Sequence, residues 1–247
     1  MLLYPLIELL EGRCVSLFRG RLDEPQIWHV NPIDKACEFA QAGAEWIHIT
    51  DFDALQGDPR NEEMIREIIR TSSASVQLGG GFRSLKRIED WIDAGAGRIV
   101  IGTLALQQPD IVREAAHAFP GQIVVSVDVY QGHVVSEGWR GKSALEPGFA
   151  LKAFGENPLA AYIVTDIDAD LEESEDSLAL ITQLSAETKT PVIARGLTRS
   201  LDDLSRMKYV SNLSGAIVGR ALFDRSVDLD AALEIVKPVP EERAQFI

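Results

Sequence analysis

The sequence contains an internal repeat, and this repeat constrains the possible folds more than any other feature. Four motifs of the first half recur in the second half, in the same order and at a nearly constant spacing. The matched segments are residues 5–15 and 125–135, 49–55 and 164–170, 81–82 and 196–197, and 100–106 and 217–223. Such recurrence predicts that each half is one structural unit with its own set of strands and helices.

Apolar runs that are typical of buried strands alternate with helical patterns along the chain, which gives eight strands, each followed by a helix. Continuous apolar strands separated by helices indicate a parallel sheet. Eight such units in 247 residues match the size of a (β/α)8 barrel. The alternative, a doubly wound open sheet, is disfavoured because the glycine turns recur late in the chain. We predict an α/β protein with one (β/α)8 TIM barrel over residues 1–247, with half-barrels at about 1–121 and 122–237 and a surface tail at 238–247.

Charge and composition narrow the classes of partner. The formal net charge is −14 and the pI is near 4.7, which disfavours nucleic acid and anionic membranes as partners. No apolar run approaches the roughly 20 residues of a membrane span, and the first residues do not resemble a signal peptide. Cys14 and Cys37 lack metal-ligand spacing, so we predict buried free thiols. We expect a cytoplasmic monomer.

Two glycine turns follow successive predicted strands. Gly80 and Gly81 end the first of these strands, and Gly102 with Thr103 ends the second. Glycine has no Cβ, so its backbone N–H can approach a ligand closely, and a helix that starts beyond the turn favours an anion. We predict a phosphate site at the carboxyl-end rim of the barrel. The alternative is that both turns need glycine for their geometry alone.

The repeat places acidic residues at matching rim positions. Glu8 follows the first predicted strand and Asp128 follows the fifth, so the two carboxyl groups should face each other across the barrel. Such a pair can give and take protons, whereas a single acid at this place would more simply cap a turn. Thr50 and Thr165 occupy another matched pair of strand ends, where a hydroxyl group can bond a ligand oxygen.

Several other polar residues near the rim have competing interpretations. Asp53 and Asp168 are predicted to cap the helices that follow them. His48 lies mid-strand between apolar neighbours and is predicted to be a core histidine. Trp139, in a long loop, could stack on a flat ring or simply pack. Arg195 and Arg220 border the second-half glycine turns and could supply charge to a second phosphate.

The best-matched motifs closely resemble the HisA/HisF family of histidine biosynthesis, and its HisA branch most. They are NPIDKACEFAQAGAEWIHITDFDAL, VQLGGGFRS, RIVIGTLAL, VVSVDVYQGHVVSEGWRGKS, YIVTDID and GAIVGRALF. The resemblance covers almost the whole chain. It implies a sugar-phosphate isomerase that converts the aminoaldose phosphoribosylformimino-5-aminoimidazole carboxamide ribotide (ProFAR) into its aminoketose isomer (PRFAR), without a metal or other cofactor.

The resemblance also implies roles for individual residues. Glu8 and Asp128 would be the catalytic carboxylates, with Thr165 as a helper, and Trp139 would cover the imidazole. One phosphate would bind at Gly80, Gly81, Gly102 and Thr103, and the other at Gly196, Gly219 and Arg220.

The sequence departs from the family pattern at the catalytic rim. Glu8 stands where the family has aspartate, and Ser16 where it has arginine. Residues 169–171 replace the family's RDGT motif, and residues 195–197 replace its SGG motif, so Arg195 could compensate there with its charge. These departures leave two alternatives open: a divergent paralogue that acts on another phosphosugar, or a non-catalytic sensor of a phosphate metabolite.

Overall fold

A computed structural model describes residues 1–18, 20–136, 141–168 and 174–238 of the chain. Within these ranges the strands are β1 (Leu2–Leu10), β2 (Arg13–Ser16), β3 (Gln26–Trp28), β4 (Trp46–Asp51), β5 (Ser75–Gly79), β6 (Arg98–Ile101), β7 (Ile123–Tyr130), β8 (His133–Ser136), β9 (Gly141–Lys142), β10 (Ala161–Asp166), β11 (Val192–Arg195) and β12 (Leu213–Val218). The helices are α1 (Pro32–Gln41), α2 (Phe52–Leu55), α3 (Glu62–Thr71), α4 (Leu85–Asp93), α5 (Thr103–Gln107), α6 (Pro109–Ala118), α7 (Pro147–Lys152), α8 (Ser174–Ala186), α9 (Leu201–Met207), α10 (Arg220–Phe223) and α11 (Leu229–Val236).

Eight of the strands form a closed parallel barrel. The strands follow one another in the order β1, β4, β5, β6, β7, β10, β11 and β12, and β12 pairs with β1 to complete the ring. Helices alternate with these strands along the chain, as predicted, so the (β/α)8 architecture is confirmed. β1 and β7 are four strands apart in both directions and therefore lie on opposite sides of the barrel.

Two antiparallel hairpins extend the ring on opposite sides. β2 pairs with β1 and β3 with β2, while β8 pairs with β7 and β9 with β8. β1 therefore continues to Leu10 and β7 to Tyr130, two residues beyond Glu8 and Asp128, which were predicted to follow these strands. The hairpin turns have matching backbone conformations, with φ of 51° at Glu11 and 50° at Gln131.

The hydrophobic core has two parts, which follow from the alternation of side chains along each strand. One cluster fills the barrel and contains Tyr4, Leu6, Val100, Val124, Ala161, Ile163, Ile193 and Ile217. A larger cluster lies between the strands and the surrounding helices, and contains fully buried side chains such as Ile7, Ile47 and Ile65. At the amino end of the barrel, the guanidinium of Arg98 stacks on Trp46 at 4.3 Å and donates a 2.9 Å hydrogen bond to the Tyr4 hydroxyl.

Two of the aspartates after the barrel strands do not have the predicted roles. Asp51, rather than Asp53, caps α2, because its side chain accepts the N–H groups of Asp53 and Ala54. Asp53 instead accepts the N–H of Glu11 in the first hairpin turn at 2.7 Å, and Asp168 accepts the N–H of Gln131 in the second at 2.6 Å. Aspartate satisfies backbone donors of either kind, so sequence alone could not choose between them.

Smaller differences concern burial and short elements. Cys14 is buried as expected, but Cys37 is only half-buried; both are free thiols. The sequence does not predict α2, α5 and α10, each of five residues or fewer, and α7 has only six residues. Periodicity cannot reveal helices this short. No helix within the described ranges has the length and apolar character needed to cross a membrane.

Candidate active site

The carboxyl ends of the eight strands form the mouth of the barrel, and alternation decides which side chains face into it. Tyr4 and Leu6 lie inside the barrel, so Glu8, two residues further along β1, also faces inward. Val124 on β7 lies inside in the same way, which places Asp128 on the inward side. The two predicted carboxyl groups therefore face the same mouth from opposite strands.

Glu8 is held in an ion pair. Its Oε1 accepts a hydrogen bond from Nη2 of Arg195 at 2.8 Å, and the two side chains are only 12% and 15% exposed. Burial raises the pKa of the Glu8 carboxyl above its usual value. The Arg195 guanidinium opposes that rise by attraction and by its hydrogen bond, but burial is the larger effect on the pKa.

Asp128 lies in a different environment. Its Oδ1 accepts a 3.0 Å hydrogen bond from the hydroxyl of Ser126, the inward-facing residue before it on β7. Ser126 was not predicted as a site residue. A polar residue at an inward position of an otherwise apolar strand is the signal that could have revealed it.

Thr165 lies on the strand between Asp128 and Arg195. In the strand register it pairs with Asp128 of β7 on one side and with Arg195 of β11 on the other. Its side chain is buried, yet its Oγ1 has no hydrogen-bond partner among the described residues. A buried polar atom without a partner is uncommon and is explained where a ligand normally supplies the missing bond.

Three polar side chains inside the barrel are linked by hydrogen bonds next to the mouth. Gln77 donates to Nδ1 of His48 at 3.0 Å, and Nε2 of His48 lies 3.2 Å from the hydroxyl of Thr50. All three side chains are buried. Burial, with a smaller effect of the Arg195 charge, places the pKa of His48 well below its usual value, so this ring is neutral. The prediction of a hydrogen-bonded core histidine is confirmed, whereas Gln77 was missed.

The first pair of glycine turns contains glycines of two kinds. Gly80 and Gly81 have φ of 121° and 69°, and a Cβ on them would lie 2.4 Å from the Asp51 carbonyl oxygen and 2.3 Å from that of Ala54. Their packing alone therefore requires glycine. Gly102 is different: the nearest atom to an added Cβ would be Cβ of Ser126, at an ordinary 3.8 Å. Gly102 is the N-cap residue of α5 and, as a glycine, supplies no side-chain cap to its first turn.

The second half has a comparable turn. Gly219 precedes α10 with φ of −112° and ψ of −99°, close to the −106° and −84° of Gly102. Gly219, the N-cap residue of α10, likewise supplies no side-chain cap. Arg220 donates to the carbonyl oxygen of Leu17 at 3.4 Å, but its Nε is buried without a partner in the described part of the chain. Gly196, with φ of 90°, follows β11 nearby in the ring.

Some residues that the sequence singles out make other contacts or lie outside the described ranges. Ser16, at the family's arginine position, is buried in β2 and accepts a 3.0 Å hydrogen bond from the Trp28 indole. Trp139 and residues 169–171 lie outside the described ranges, as does the tail after residue 238. The structure thus brings Glu8, Asp128, Thr165 and Arg195 together at one mouth, with Gly102 and Gly219 on the same rim.

A closed parallel barrel with ionisable side chains at its carboxyl-end mouth defines the class of (β/α)8-barrel enzymes. Comparison with known proteins specifies the family. The sequence model of the histidine biosynthesis protein family matches residues 2–228, and the chain belongs to this family.

Close relatives match the chain from end to end and are named as isomerases of 1-(5-phosphoribosyl)-5-((5-phosphoribosylamino)methylideneamino)imidazole-4-carboxamide. Isomerase 1 of Ruegeria sp. (strain TM1040) is 51% identical over 247 residues, and isomerase 2 of Ruegeria pomeroyi (strain DSS-3) is 54% identical over 246 residues; each match covers 100% of both chains. The isomerase of Jannaschia sp. (strain CCS1) is 39% identical over 234 residues, which cover 94% of this chain and 98% of the relative.

Proposed function

We propose that this protein is a HisA-type isomerase that rearranges the aminoaldose ProFAR into the aminoketose PRFAR. The observation that carries the proposal is the pair of inward-facing carboxyl groups, Glu8 and Asp128, on opposite strands of one barrel mouth. End-to-end relatives with 51% and 54% identity are named as isomerases of this kind. They favour an active isomerase over a divergent paralogue or a non-catalytic sensor.

The reaction requires proton transfers only. A proton given to the ribose ring oxygen opens the ring, and removal of the proton on C2 then forms an enaminol. Return of a proton to C1, together with loss of the proton from the C2 hydroxyl group, gives the aminoketose, so no atom is gained or lost. One carboxylic acid that gives a proton and one carboxylate that takes a proton are sufficient for these steps. The chain's own acids therefore account for the chemistry without a cofactor.

Thr165 fits the role of a helper beside the reacting atoms. Its unpartnered hydroxyl lies next to Asp128 in the strand register and can bond a substrate oxygen. Such a bond would fix the sugar relative to the acid and would satisfy a buried polar atom. Trp139 remains a prediction for covering the imidazole ring.

The two ends of the substrate need two anion sites, because the substrate named for the relatives carries two phosphoribosyl groups. The first phosphate is assigned to Gly80, Gly81, Gly102 and Thr103, and the second to Gly196, Gly219 and Arg220. The glycine N-caps of α5 and α10 support this assignment, as does the buried Nε of Arg220. A role for Arg195 at the second phosphate stays a prediction. In the structure its guanidinium donates a hydrogen bond to Glu8.

The proposal is tested by steady-state kinetics of purified protein with ProFAR. We expect turnover by the parent protein and a fall in kcat of about 10²- to 10⁴-fold in Asp128→Asn and in Glu8→Gln, the range typical of lost acid–base groups. Asp110→Asn is the matched control, because Asp110 is exposed on α6 and pairs only with Arg113 among the contacts described. Absence of turnover by the parent, under conditions in which a HisA enzyme is active, would overturn the proposal.

We further propose that the protein works as a cytoplasmic monomer. The net charge of −14 supports the absence of nucleic-acid and anionic-membrane partners. Light scattering of the purified protein should give the mass of one 27.1 kDa chain, and a mass of twice that value would contradict the proposal.

A further inference from the structure

Arg195 reaches Glu8 across the width of one strand. Arg195 ends β11 and Glu8 lies on β1, with β12 between them. β12 ends at Val218 and is followed by Gly219, which places no side chain between the guanidinium and the carboxylate. The contact joins residues 187 positions apart, at a distance of 2.8 Å between Nη2 and Oε1.

The surroundings of Glu8 make this contact important for its charge. Two other groups act on the carboxyl of Glu8: the backbone of Leu17, which follows β2, and Arg220 from α10. Thr50 and the neutral His48 lie on the neighbouring strand β4, and Asp128 lies across the mouth. Among the positive charges, Arg195 has the largest effect on Glu8, ahead of Arg220. Burial acts against the charged form, so the guanidinium is the main group that favours the carboxylate.

We propose that Arg195 is a positioning residue for the isomerase reaction: through its 2.8 Å hydrogen bond it fixes the orientation of Glu8 and favours the ionised form, so that Glu8 can take the proton. The proposal rests on the proposed function. Glutamate has one more rotatable bond than aspartate, and a hydrogen bond from a fixed guanidinium restricts that extra freedom. Asp128, which faces the mouth from the opposite strand β7, is then the partner that gives a proton.

The first experiment compares Arg195→Gln with the parent in two measurements. One is the pH dependence of kcat/KM for ProFAR, and the other is the titration of Glu8 followed by carboxyl ¹³C NMR, with Glu8→Gln used to assign the signal. An opposite charge at this distance lowers a carboxyl pKa by about 1–3 units. We therefore expect the acid limb of the profile and the NMR titration of Glu8 to move upward by about 1–3 pH units, with KM changed much less than kcat.

Arg87→Gln is the matched control. Arg87 forms a half-buried ion pair with Glu62 at 2.6 Å, between α4 and α3 in the outer ring of helices, so the same chemical change is made at a pair that does not include Glu8. In Arg87→Gln, the acid limb of the kcat/KM profile and the titration of Glu8 should be the same as in the parent. A shift in the control equal to that of Arg195→Gln would overturn the proposal.

The second experiment is a double-mutant cycle. If Arg195 acts through Glu8, then Arg195→Gln should lower kcat strongly in the parent but by less than about twofold in the Glu8→Gln background, because coupled residues are not additive. Equal fold-losses in the two backgrounds would contradict the proposal. A raised KM with an unmoved acid limb would also contradict it and would instead identify Arg195 as a phosphate ligand.

Arg195→Lys keeps the experiment decisive if loss of the charge prevents folding. Lysine retains the positive charge without the planar donor pair, so we expect an upward shift of the Glu8 titration that is smaller than one pH unit, with a fall in kcat. An unchanged titration together with an unchanged kcat would overturn the proposal. Because the NMR titration needs no turnover, an inactive parent would refute the proposed function while the link between Arg195 and Glu8 is still measured.

Discussion

The hydroxyl group of Thr165 gives the clearest indication of ligand binding at the mouth. This hydroxyl is buried and has no partner among the described residues, whereas the hydroxyl of Thr50 on β4 lies 3.2 Å from His48. An unpartnered buried hydroxyl does not stabilise the folded chain, because it loses its hydrogen bonds to water. A ligand that supplies the bond regains this energy on binding.

Replacing Thr165 by valine should therefore separate stability from activity. We expect Thr165→Val to leave the free energy of unfolding within about 0.5 kcal/mol of the parent, or to raise it, and to lower kcat/KM for ProFAR by about 10- to 100-fold, the value of one good hydrogen bond. Thr50→Val is the control and should destabilise the fold by about 1–3 kcal/mol, because His48 loses its partner. Chemical denaturation and steady-state kinetics give both quantities. Equal destabilisation by the two changes, with activity retained in Thr165→Val, would be inconsistent with this role.

The inward positions of these residues could be predicted from the sequence, but their contacts could not. Alternation along a strand and the internal repeat place Glu8, Asp128 and Thr165 on one rim. The bond between Glu8 and Arg195 depends on how strands far apart in sequence meet in the closed ring, which no local pattern contains. For the same reason the sequence predicts Arg195 only as a partner for phosphate.

At the scale of elements, the glycine turns after β5 and β6 combine two physical requirements. Gly81 has φ of 69° and packs its Cα against the turn at Ala54, so it serves the architecture of the rim. Gly102 has space for a Cβ, which would point towards the mouth and Ser126. The two explanations for the glycines, geometry and ligand approach, therefore apply to different residues of the same site.

Alanine substitutions should distinguish these requirements. We expect Gly81→Ala to destabilise the protein by about 2 kcal/mol or more, because the new Cβ would overlap a carbonyl oxygen in a left-handed conformation. Gly102→Ala should change the unfolding free energy by less than about 0.5 kcal/mol but raise KM for ProFAR about tenfold, since the methyl group occupies the phosphate approach. Thermal unfolding and kinetics measure the two effects. Normal KM in a stable Gly102→Ala protein would remove this glycine from the phosphate site.

The elements themselves were predictable where they are long and periodic. The eight barrel strands and helices such as α1 and α3 have clear apolar patterns, and a Pro at the start of α1 with Asn31 as its cap marks one boundary. The short α5 and α10 are formed by the geometry of the turn rather than by periodicity. They matter for function because their first turns lie at the rim.

At the scale of the whole molecule, we infer that the two halves are structural repeats of one unit. Asp53 and Asp168 bind equivalent hairpin turns, and Gly102 and Gly219 share their backbone conformation. Superposition of residues 1–121 on 122–237 in an experimental structure should align four strands and one hairpin of each half. Failure of the hairpins to coincide would contradict the inference.

The neutral histidine inside the barrel predicts a pH dependence of stability. The pKa of His48 is lowered in the folded chain, so the unfolded chain binds the proton more readily below its usual value near 6.5. The stabilisation is fully present above that pH and is lost as the pH falls, by at most about 1.4 kcal/mol per pH unit. Glu8, with a raised pKa, acts in the opposite sense.

A comparison with His48→Gln isolates this effect from that of Glu8. Urea denaturation of both proteins at pH 7.5 and 5.5 should show that the parent loses more unfolding free energy on acidification than the variant, by about 1 kcal/mol. A parent and a variant with the same loss would show that His48 is protonated in the folded chain.

The most direct measurement of the central claim is a crystal structure of the Asp128→Asn variant with ProFAR bound. We expect one phosphate at Gly81, Gly102 and Thr103, the other at Gly219 and Arg220, and the reacting ribose carbons between Glu8 and residue 128. ProFAR bound outside the barrel mouth, or with its ribose carbons out of reach of both side chains, would contradict it.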